Sequence, residues 1–250
     1  MLIRFSLGVI ILNSRALEQA VRAMCQEVQS TSKKSPDWHS LTEEELLYEM
    51  AVCVFSSQLL FEVAVAMADR LRMEGLFQVE GGYFDCAAYE ASVVSALSRP
   101  VEVLSGGKMR STMPRFRNRL ASLLASSLAE IHGQRQSLRG LLSMASDATR
   151  ARSVLVEKVW GFGPKQASLF LRRIGYDANL AVLDIHIMDY LRYTRGINAT
   201  PSALGRLSSY EQIEIAFQDI AVEFGHTVGC LDLATWITMR VAKREAMLCV

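Results

Sequence analysis

Apolar residues recur three to four positions apart, the spacing of a helix face, along nearly the whole chain. Few runs alternate between apolar and polar residues over the length of a strand, and we read none of them as bounded by hairpin turn signals. Residues 180–183 are the main ambiguous apolar run. Thr42 and Glu45 have the spacing of a capping box, before a helix that should run to about Phe55. The pattern predicts an all-α protein.

Composition allows a sizeable core but does not reveal a partner. Half of the 250 residues are apolar, and the formal net charge is only +1. Basic residues are nevertheless concentrated between Arg99 and Arg119, where there are six of them and a single acid, Glu102. Further arginines follow at positions 135, 139, 150 and 152. Such a stretch is typical of a surface that contacts a nucleic-acid backbone, and equally of a solvated helix face.

The cysteines argue against a metal centre and for a reducing compartment. No two of the five are spaced as C-x-x-C, so neither a zinc site nor an iron–sulfur cluster is indicated. Their odd number and scattered positions favour the cytoplasm. The apolar stretch 48–67 is interrupted by Glu49, Gln58 and Glu62, which favours a buried helix over a membrane span.

The most informative segment joins two helical runs through Gly161-Phe162-Gly163-Pro164-Lys165. Glycines at i and i+2 permit positive φ and close approach of the backbone to another molecule. Pro164 suits the first turn of the next helix, expected at 165–173. A helix, a short Gly-x-Gly hairpin and a second helix can present free N–H groups to a phosphate without reading sequence. The Gly-x-Gly pattern alone is weak evidence.

Asp184 follows Lys165 by 184 − 165 = 19 residues and begins the helical run 185–194. One helix and one loop span that distance, so both side chains could line the same cleft. The alternative for Asp184 is simply the N-cap of its helix, and the two roles are compatible.

This segment resembles the helix-hairpin-helix, Gly/Pro-rich and aspartate motif of the DNA glycosylase superfamily. It is most similar to the archaeal-type 8-oxoguanine DNA glycosylase/AP lyases. The likeness covers about residues 15–240 and is most specific at 159–186. Looser similarity lies in Lys33 to Trp38, Glu49 to Gln58, the basic helix start Arg115 to Ala121, and Leu231 to Trp236.

The resemblance implies two helical domains with the active-site cleft between them. Residues 58–178 would form the central domain, which ends in the helix-hairpin-helix, and 1–57 with 179–250 would form the other. The implied partner is double-stranded DNA that contains a modified base, with no membrane, a monomeric protein and a nucleoid location. No cofactor is implied, although a monovalent cation could lie between a DNA phosphate and the hairpin at Gly161 and Gly163.

The resemblance also assigns the chemistry. Lys165 would be the amine that attacks C1′ of the sugar and displaces the base, leaving a Schiff base that can eliminate the 3′ phosphate. Asp184 would stabilise positive charge on the sugar in the transition state, and could orient or deprotonate the amine. The alternative for Lys165 is a surface lysine at a helix N-terminus, where a cation is mildly unfavourable.

Other site residues carry two interpretations each. His186 would touch a DNA phosphate, or be a satisfied core histidine. Gln58 would enter the space left by the flipped base and adjoin the base pocket, or bend a buried helix. Trp236 would stack in the base pocket, or belong to the core. Candidates for contacts with the DNA backbone are Arg115, Arg117 and Arg119.

Two departures from the relatives concern base recognition. Archaeal-type relatives end in a lysine that helps to hold the oxidised guanine, whereas this chain continues through 243–250. Leu59, Leu60 and Phe61 also follow Gln58, where the family has small polar residues. Three hypotheses result: excision of 8-oxoguanine, the family default; the same reaction on a hypermodified base such as glucosylated hydroxymethylcytosine in phage DNA, as a defence; and a non-catalytic DNA-binding module.

Overall fold

The computed structural model describes residues 3–5, 8–10, 14–31, 36–79, 84–133 and 136–248. Arg135, and Lys33 to Ser35 in the opening stretch, lie outside these ranges. The helices are α1 (Ser14–Thr31), α2 (Glu43–Ser56), α3 (Phe61–Met73), α4 (Cys86–Leu97), α5 (Arg117–Gly133), α6 (Leu138–Ser143), α7 (Ala148–Lys158), α8 (Pro164–Arg173), α9 (Ile185–Arg195), α10 (Pro201–Leu204), α11 (Leu207–Phe224) and α12 (Val228–Leu248). The predicted all-α class is confirmed.

Two small antiparallel sheets accompany the helices. The first pairs β1 (Ile3–Phe5) with β2 (Gly8–Ile10), and the second pairs β3 (Val101–Ser105) with β4 (Lys108–Thr112). Gly106 and Gly107 join β3 to β4 with φ of 60° and 76°, so both take the left-handed conformation of a two-residue hairpin turn. The absence of hairpin signals that we inferred from the sequence was therefore wrong at this Gly-Gly pair.

The chain forms two compact units. A middle unit comprises Pro36–Tyr176, and a terminal unit comprises Met1–Ser35 with Asp177–Val250. The boundary near 178 lies two residues from the observed one, but the boundary at 57 differs. Helix α2 belongs to the middle unit because its apolar side chains pack against α3, α5, α6 and α8.

In the middle unit, α2 is the central helix. All its side chains from Met50 to Phe55 are fully buried. The predicted capping box is confirmed, since the N–H of Glu45 donates to Oγ1 of Thr42 and the Thr42 N–H donates to Glu45. The carboxylate of Glu43 in turn accepts the N–H of Leu138 at 2.6 Å, which fixes the start of α6. The core is thus held at helix ends as well as by apolar packing.

In the terminal unit, α1, α9, α11 and α12 surround one apolar core. Helix α1 packs against α9 and α12, and its inward face consists of Leu17, Val21, Cys25 and Val28. Among the described residues, no helix is long and apolar enough to cross a bilayer.

Candidate active site

The Gly-x-Gly segment forms a hairpin between α7 and α8, as the sequence predicts. Gly161 has φ of +89°, and a Cβ there would lie 3.1 Å from Leu123 Cδ1. Gly163 has an ordinary φ of −105° and is the N-cap of α8, so of the two glycines it is Gly161 that uses the positive φ which the pattern permits. Pro164 occupies the first position of α8, as predicted.

Helix α5 holds this hairpin in place. The Trp160 N–H donates to Oγ of Ser127 at 2.9 Å, and that hydroxyl donates to the carbonyl of Leu123 at 2.7 Å. The ring of Phe162 is buried and lies 6.0 Å from the ring of Phe170. The turn is therefore fixed from below by buried contacts, while Trp160 and Gly161 are exposed.

The N-terminus of α8 offers free backbone donors. The first hydrogen bond of the helix runs from the N–H of Ala167 to the carbonyl of Gly163 at 3.0 Å, so the N–H groups of Lys165 and Gln166 precede it. No side chain caps this end. A Cβ at Gly163 would meet nothing within 4 Å, so a phosphate can approach the backbone closely here.

The carbonyl oxygens of the hairpin are the atoms that would bind the expected monovalent cation. The carbonyl of Gly163 accepts the helical hydrogen bond from Ala167. Within the described residues, no N–H donates to the carbonyl of Gly161. One carbonyl with free lone pairs fits an oxygen-liganded cation, and the Gly161, Gly163 cation site stays a prediction.

Lys165 is half-buried at the second position of α8. Beneath it, the Cys53 thiol on α2 is fully buried, and burial raises its pKa to about 12 while the charges of Arg173 and Lys165 oppose the rise. Arg173, at the other end of α8, forms an ion pair with Glu49 at 2.6 Å. Helix α8 is thereby tied to α2, and the amine of Lys165 is carried on a rigid element.

Asp184 is the N-cap of α9. Its Oδ1 accepts the N–H of His186 at 2.8 Å and that of Ile187 at 2.9 Å. No described residue donates a hydrogen bond to Oδ2. The capping role is thus present, and it leaves one carboxylate oxygen available to another molecule.

The segment before Asp184 is held by side chains and is not a strand. Asp232 accepts the N–H of Val182 at 2.7 Å, and Glu214 accepts the N–H of Ala181 at 2.8 Å. Tyr210 accepts the N–H of Leu183 at 3.0 Å and donates to the carbonyl of Ala181 at 2.8 Å. All three of these side chains are buried. They form hydrogen bonds with backbone groups that a neighbouring strand would bind in a sheet. The segment that leads to Asp184 is therefore fixed.

His186 lies beside Asp184 in a charged and aromatic environment. Its ring is edge-on to Trp236, with 6.1 Å between centroids, and Arg240 lies 4.7 Å over the centroid of that tryptophan. Burial lowers the pKa of His186, the charges of Lys243 and Arg240 lower it further, and Asp184 and Asp189 oppose them. The buried Nδ1 makes no hydrogen bond with a described residue. The residue as a whole is half-buried, so part of the imidazole remains open to a ligand.

The acidic partner of this cluster is Asp189. It forms ion pairs with Arg192 at 2.6 Å and with Lys243 of α12. Trp236 is half-buried and not fully within the core. Within the terminal unit, the structure therefore brings Asp184, His186 and Trp236 together.

The predicted arginines lie where α5 begins. The helix starts at Arg117, two residues later than the sequence suggested, and all three arginines, at 115, 117 and 119, are exposed. They help to line an open pocket of about 600 Å³ with Met113, Pro114, Phe116 and Asn118. Gln58 is exposed in the turn after α2 and does not bend a buried helix.

Sequence reasoning gave no role to Phe116. Its side chain is 59% exposed, and its φ of 59° makes it the one non-glycine residue with positive φ among those described. Such a backbone is costly for an aromatic residue and is often found at functional sites. Its position between two arginines was visible in the sequence, but its conformation was not.

Comparisons with known proteins found a matching family model and similar relatives. Residues 87–226, more than half of the chain, match the family model Ogg-HhH, described as 8-oxoguanine DNA glycosylase. The 8-oxoguanine DNA glycosylase/AP lyase of Korarchaeum cryptofilum is 27% identical over 78% of this chain and 80% of its own length. That of Thermoplasma volcanium is 32% identical over 53% of this chain and 62% of its own length.

Solved structures show the same fold. The 8-oxoguanine DNA glycosylase of Thermotoga maritima has a TM-score of 0.66 at 20% identity, covering 90% of this chain and 96% of that one. The 8-oxoguanine glycosylase/lyase of Methanocaldococcus jannaschii, in complex with DNA containing 8-oxoguanine, has a TM-score of 0.60 at 22% identity, covering 88% of each chain. At these identities, the likeness concerns the fold alone.

Proposed function

This chain belongs to the Ogg-HhH family of 8-oxoguanine DNA glycosylases, and we propose that it excises a modified base, 8-oxoguanine by family default, from double-stranded DNA. The observation that carries the proposal is the occurrence of a lysine after a hairpin and an aspartate at a helix start in a chain of this family. Lys165 follows a hairpin that presents free backbone donors, and Asp184 caps α9 through one oxygen only.

Excision requires the bond between C1′ and the base nitrogen to break. In the proposed reaction, the unprotonated Nζ atom of Lys165 forms a bond with C1′, and the base leaves with the electron pair of the broken bond and takes up the proton that the amine gives up. The carboxylate of Asp184, through the oxygen that the cap does not use, stabilises the positive charge developing on the sugar. Opening of the sugar ring gives a Schiff base on Lys165. Loss of a C2′ proton then expels the 3′ phosphate, which is the AP lyase step.

The DNA backbone is held without regard to sequence. The uncapped start of α8 binds one phosphate through backbone N–H groups, and the imidazole of His186 contacts another. Arg115, Arg117 and Arg119 add sequence-independent contacts. These contacts position the duplex, and a flipped base is recognised separately.

Base identity is the least constrained part of the proposal. Helix α12 continues through Leu248, within the extension that sets this chain apart from the archaeal-type pattern it resembles, and Leu60 and Phe61 are exposed close to Gln58 in the sequence. These departures support a second candidate substrate, a hypermodified cytosine such as the glucosylated base of phage DNA. The chemistry of Lys165 and Asp184 is the same for both substrates.

A base-release assay on a panel of duplexes tests the proposal. The panel contains 8-oxoguanine, uracil, hydroxymethylcytosine and phage DNA with glucosylated cytosine, each with and without borohydride. We expect release from one member, with a trapped adduct that Lys165→Gln abolishes. The matched control is Lys158→Gln, because Lys158 ends α7 and is paired with Glu130 at 2.9 Å.

Each outcome has a distinct meaning. Release without trapping makes Lys165 a positioning residue, with water as the nucleophile. Tight DNA binding without release from any member contradicts the proposed substrates and favours the non-catalytic module. We also propose that the protein acts on nucleoid DNA as a monomer. A DNA complex with two copies of the chain, measured by light scattering, would contradict the monomer.

A further inference from the structure

The β3–β4 hairpin projects from the middle unit beside the arginine-rich start of α5. Its base is firmly anchored, because Arg70 of α3 donates to the carbonyls of Ala96, Arg99 and Pro100. Val101 is buried where β3 packs against α3. The ribbon therefore leaves the domain in a fixed direction.

The tip of the ribbon is free. A Cβ at Gly106 or Gly107 would meet nothing within 4 Å. Leu104 and Met109 are directly opposite each other in the register, and they are 62% and 63% exposed. Opposite residues share one face of the ribbon, so this face carries an exposed apolar pair. Lys108 belongs to the strand that returns from the tip and is also exposed.

The charge of the ribbon indicates the kind of ligand that it binds. Lys108 and Arg110 are exposed on β4, which leads directly to Arg115, Arg117 and Arg119. The single acid between Arg99 and Arg119 is Glu102, near the anchored end of the ribbon. Among the described residues, no acid forms an ion pair with a cation in the stretch from Lys108 to Arg119. A row of cations without a described acidic partner, along β4 and the start of α5, complements a polyanion.

We propose that the β3–β4 hairpin is a second DNA-contacting element, which lies in a groove of the duplex beside the damaged site. A groove of DNA accommodates a two-stranded ribbon, and exposed Leu and Met side chains are among those that insert between or against base steps. Lys108 and Arg110 contact phosphates, while Leu104 and Met109 contact sugars and base edges. This inference rests on the proposed function only in taking duplex DNA as the ligand.

The salt dependence of binding tests the inference on the full-length protein. The probes are a short duplex with 8-oxoguanine and the same duplex with guanine. On a plot of log affinity against log salt concentration the slope is negative, and each lost phosphate contact lowers its steepness by about 1. We expect Arg110→Ala to lower the slope by about 1 and Lys108→Ala with Arg110→Ala to lower it by about 2, on both duplexes.

A charge-matched control separates contact from net charge. Arg206→Ala also removes one exposed arginine, from the start of α11 in the terminal unit, and should leave the slope unchanged. The variant Leu104→Ser with Met109→Ser should weaken binding at every salt concentration without changing the slope. Equal melting temperatures of all variants verify that the exposed substitutions leave the fold intact.

The result that overturns the inference is an unchanged slope in both β4 variants, or an equal change in Arg206→Ala. Because the slope is measured on undamaged as well as damaged DNA, it does not depend on base excision. A lowered slope without base release supports the ribbon and contradicts the proposed function. Base release with an unchanged slope supports the proposed function and contradicts the role of the ribbon.

Discussion

The backbone N–H of His186 donates to Oδ1 of Asp184 at 2.8 Å, so the carboxylate that we assign to catalysis also starts helix α9. The cap uses Oδ1, which also accepts from Ile187, whereas Oδ2 accepts from no described residue and is the oxygen that we propose for catalysis. Substitutions can therefore separate the charge of Asp184 from its cap.

We expect Asp184→Asn to keep the cap, since the amide oxygen still accepts, and to lose base release by about 100-fold or more because the charge is gone. Asp184→Ala should lose the same activity and about 1 kcal/mol of stability as well. Single-turnover release and thermal unfolding measure the two effects. Full activity in Asp184→Asn would assign this residue to structure alone.

The two hairpin glycines should respond differently to alanine. Gly161→Ala places a Cβ 3.1 Å from Leu123 at a φ of +89°, and should cost about 1–2 kcal/mol of stability. Gly163→Ala meets nothing within 4 Å and should unfold like the wild type. It should still weaken DNA binding, because its methyl group stands where a phosphate approaches the uncapped helix. Unchanged DNA affinity in Gly163→Ala would move the phosphate away from this N-terminus.

His186 predicts a pH dependence of stability. Burial holds its pKa below the usual value of 6.5, with Asp184 and Asp189 opposing and with Arg240 and Lys243 reinforcing the effect. As pH falls through the region of that usual value, the unfolded chain binds a proton that the folded chain does not, so stability decreases. Thermal unfolding between about pH 8 and pH 5 should show a smaller decrease in His186→Gln.

DNA should reverse this trend for the complex. A phosphate against the imidazole favours the protonated ring, so binding takes up a proton and affinity increases as pH falls. His186→Gln should lose this part of the pH dependence, which is measured as the difference from wild type. Parallel affinity curves for the two proteins would mean that His186 does not contact the phosphate.

We propose Phe116 and Gln58 as alternative candidates for filling the space left by the flipped base. Phe116→Gly relieves a left-handed backbone, so stability should rise by about 1 kcal/mol. If the ring occupies the stack, base release should fall despite the stabilisation, whereas Gln58→Ala should have a smaller effect. Fluorescence of 2-aminopurine beside the damage measures flipping directly. The opposite order of effects would return this role to Gln58, as the sequence predicts.

Several features of this protein could be predicted from the sequence because they depend on neighbours within one helical turn. The capping box of Thr42 and Glu45, Pro164 at the start of α8 and Asp184 at the start of α9 are of this kind. In each case, a side chain satisfies or replaces a backbone donor only a few residues away. The order of hairpin, lysine and aspartate was legible for the same reason.

The β3–β4 hairpin and the conformation of Phe116 could not be predicted from local sequence in this way. The signal for the hairpin was a Gly-Gly pair, which also occurs in loops, and its strands alternate for only a few residues before the tip is exposed on both faces. What stabilises β3 is packing against α3, a helix about thirty residues earlier in the chain. The positive φ of Phe116 similarly depends on how the end of that ribbon joins α5.

The tertiary structure also decided how the site residues are held. Ser127 supports the hairpin from α5, and Asp232, Glu214 and Tyr210 hold the segment before Asp184. These partners lie 27 to 50 residues away from the atoms they bind, at positions with no local pattern. The sequence by itself determined the helical class, the helix ends that side chains cap and the order of the reactive groups, since those follow from short-range hydrogen bonding. Only the folded chain decided which buried polar side chains meet which loops, because that pairing is set by the packing of distant helices.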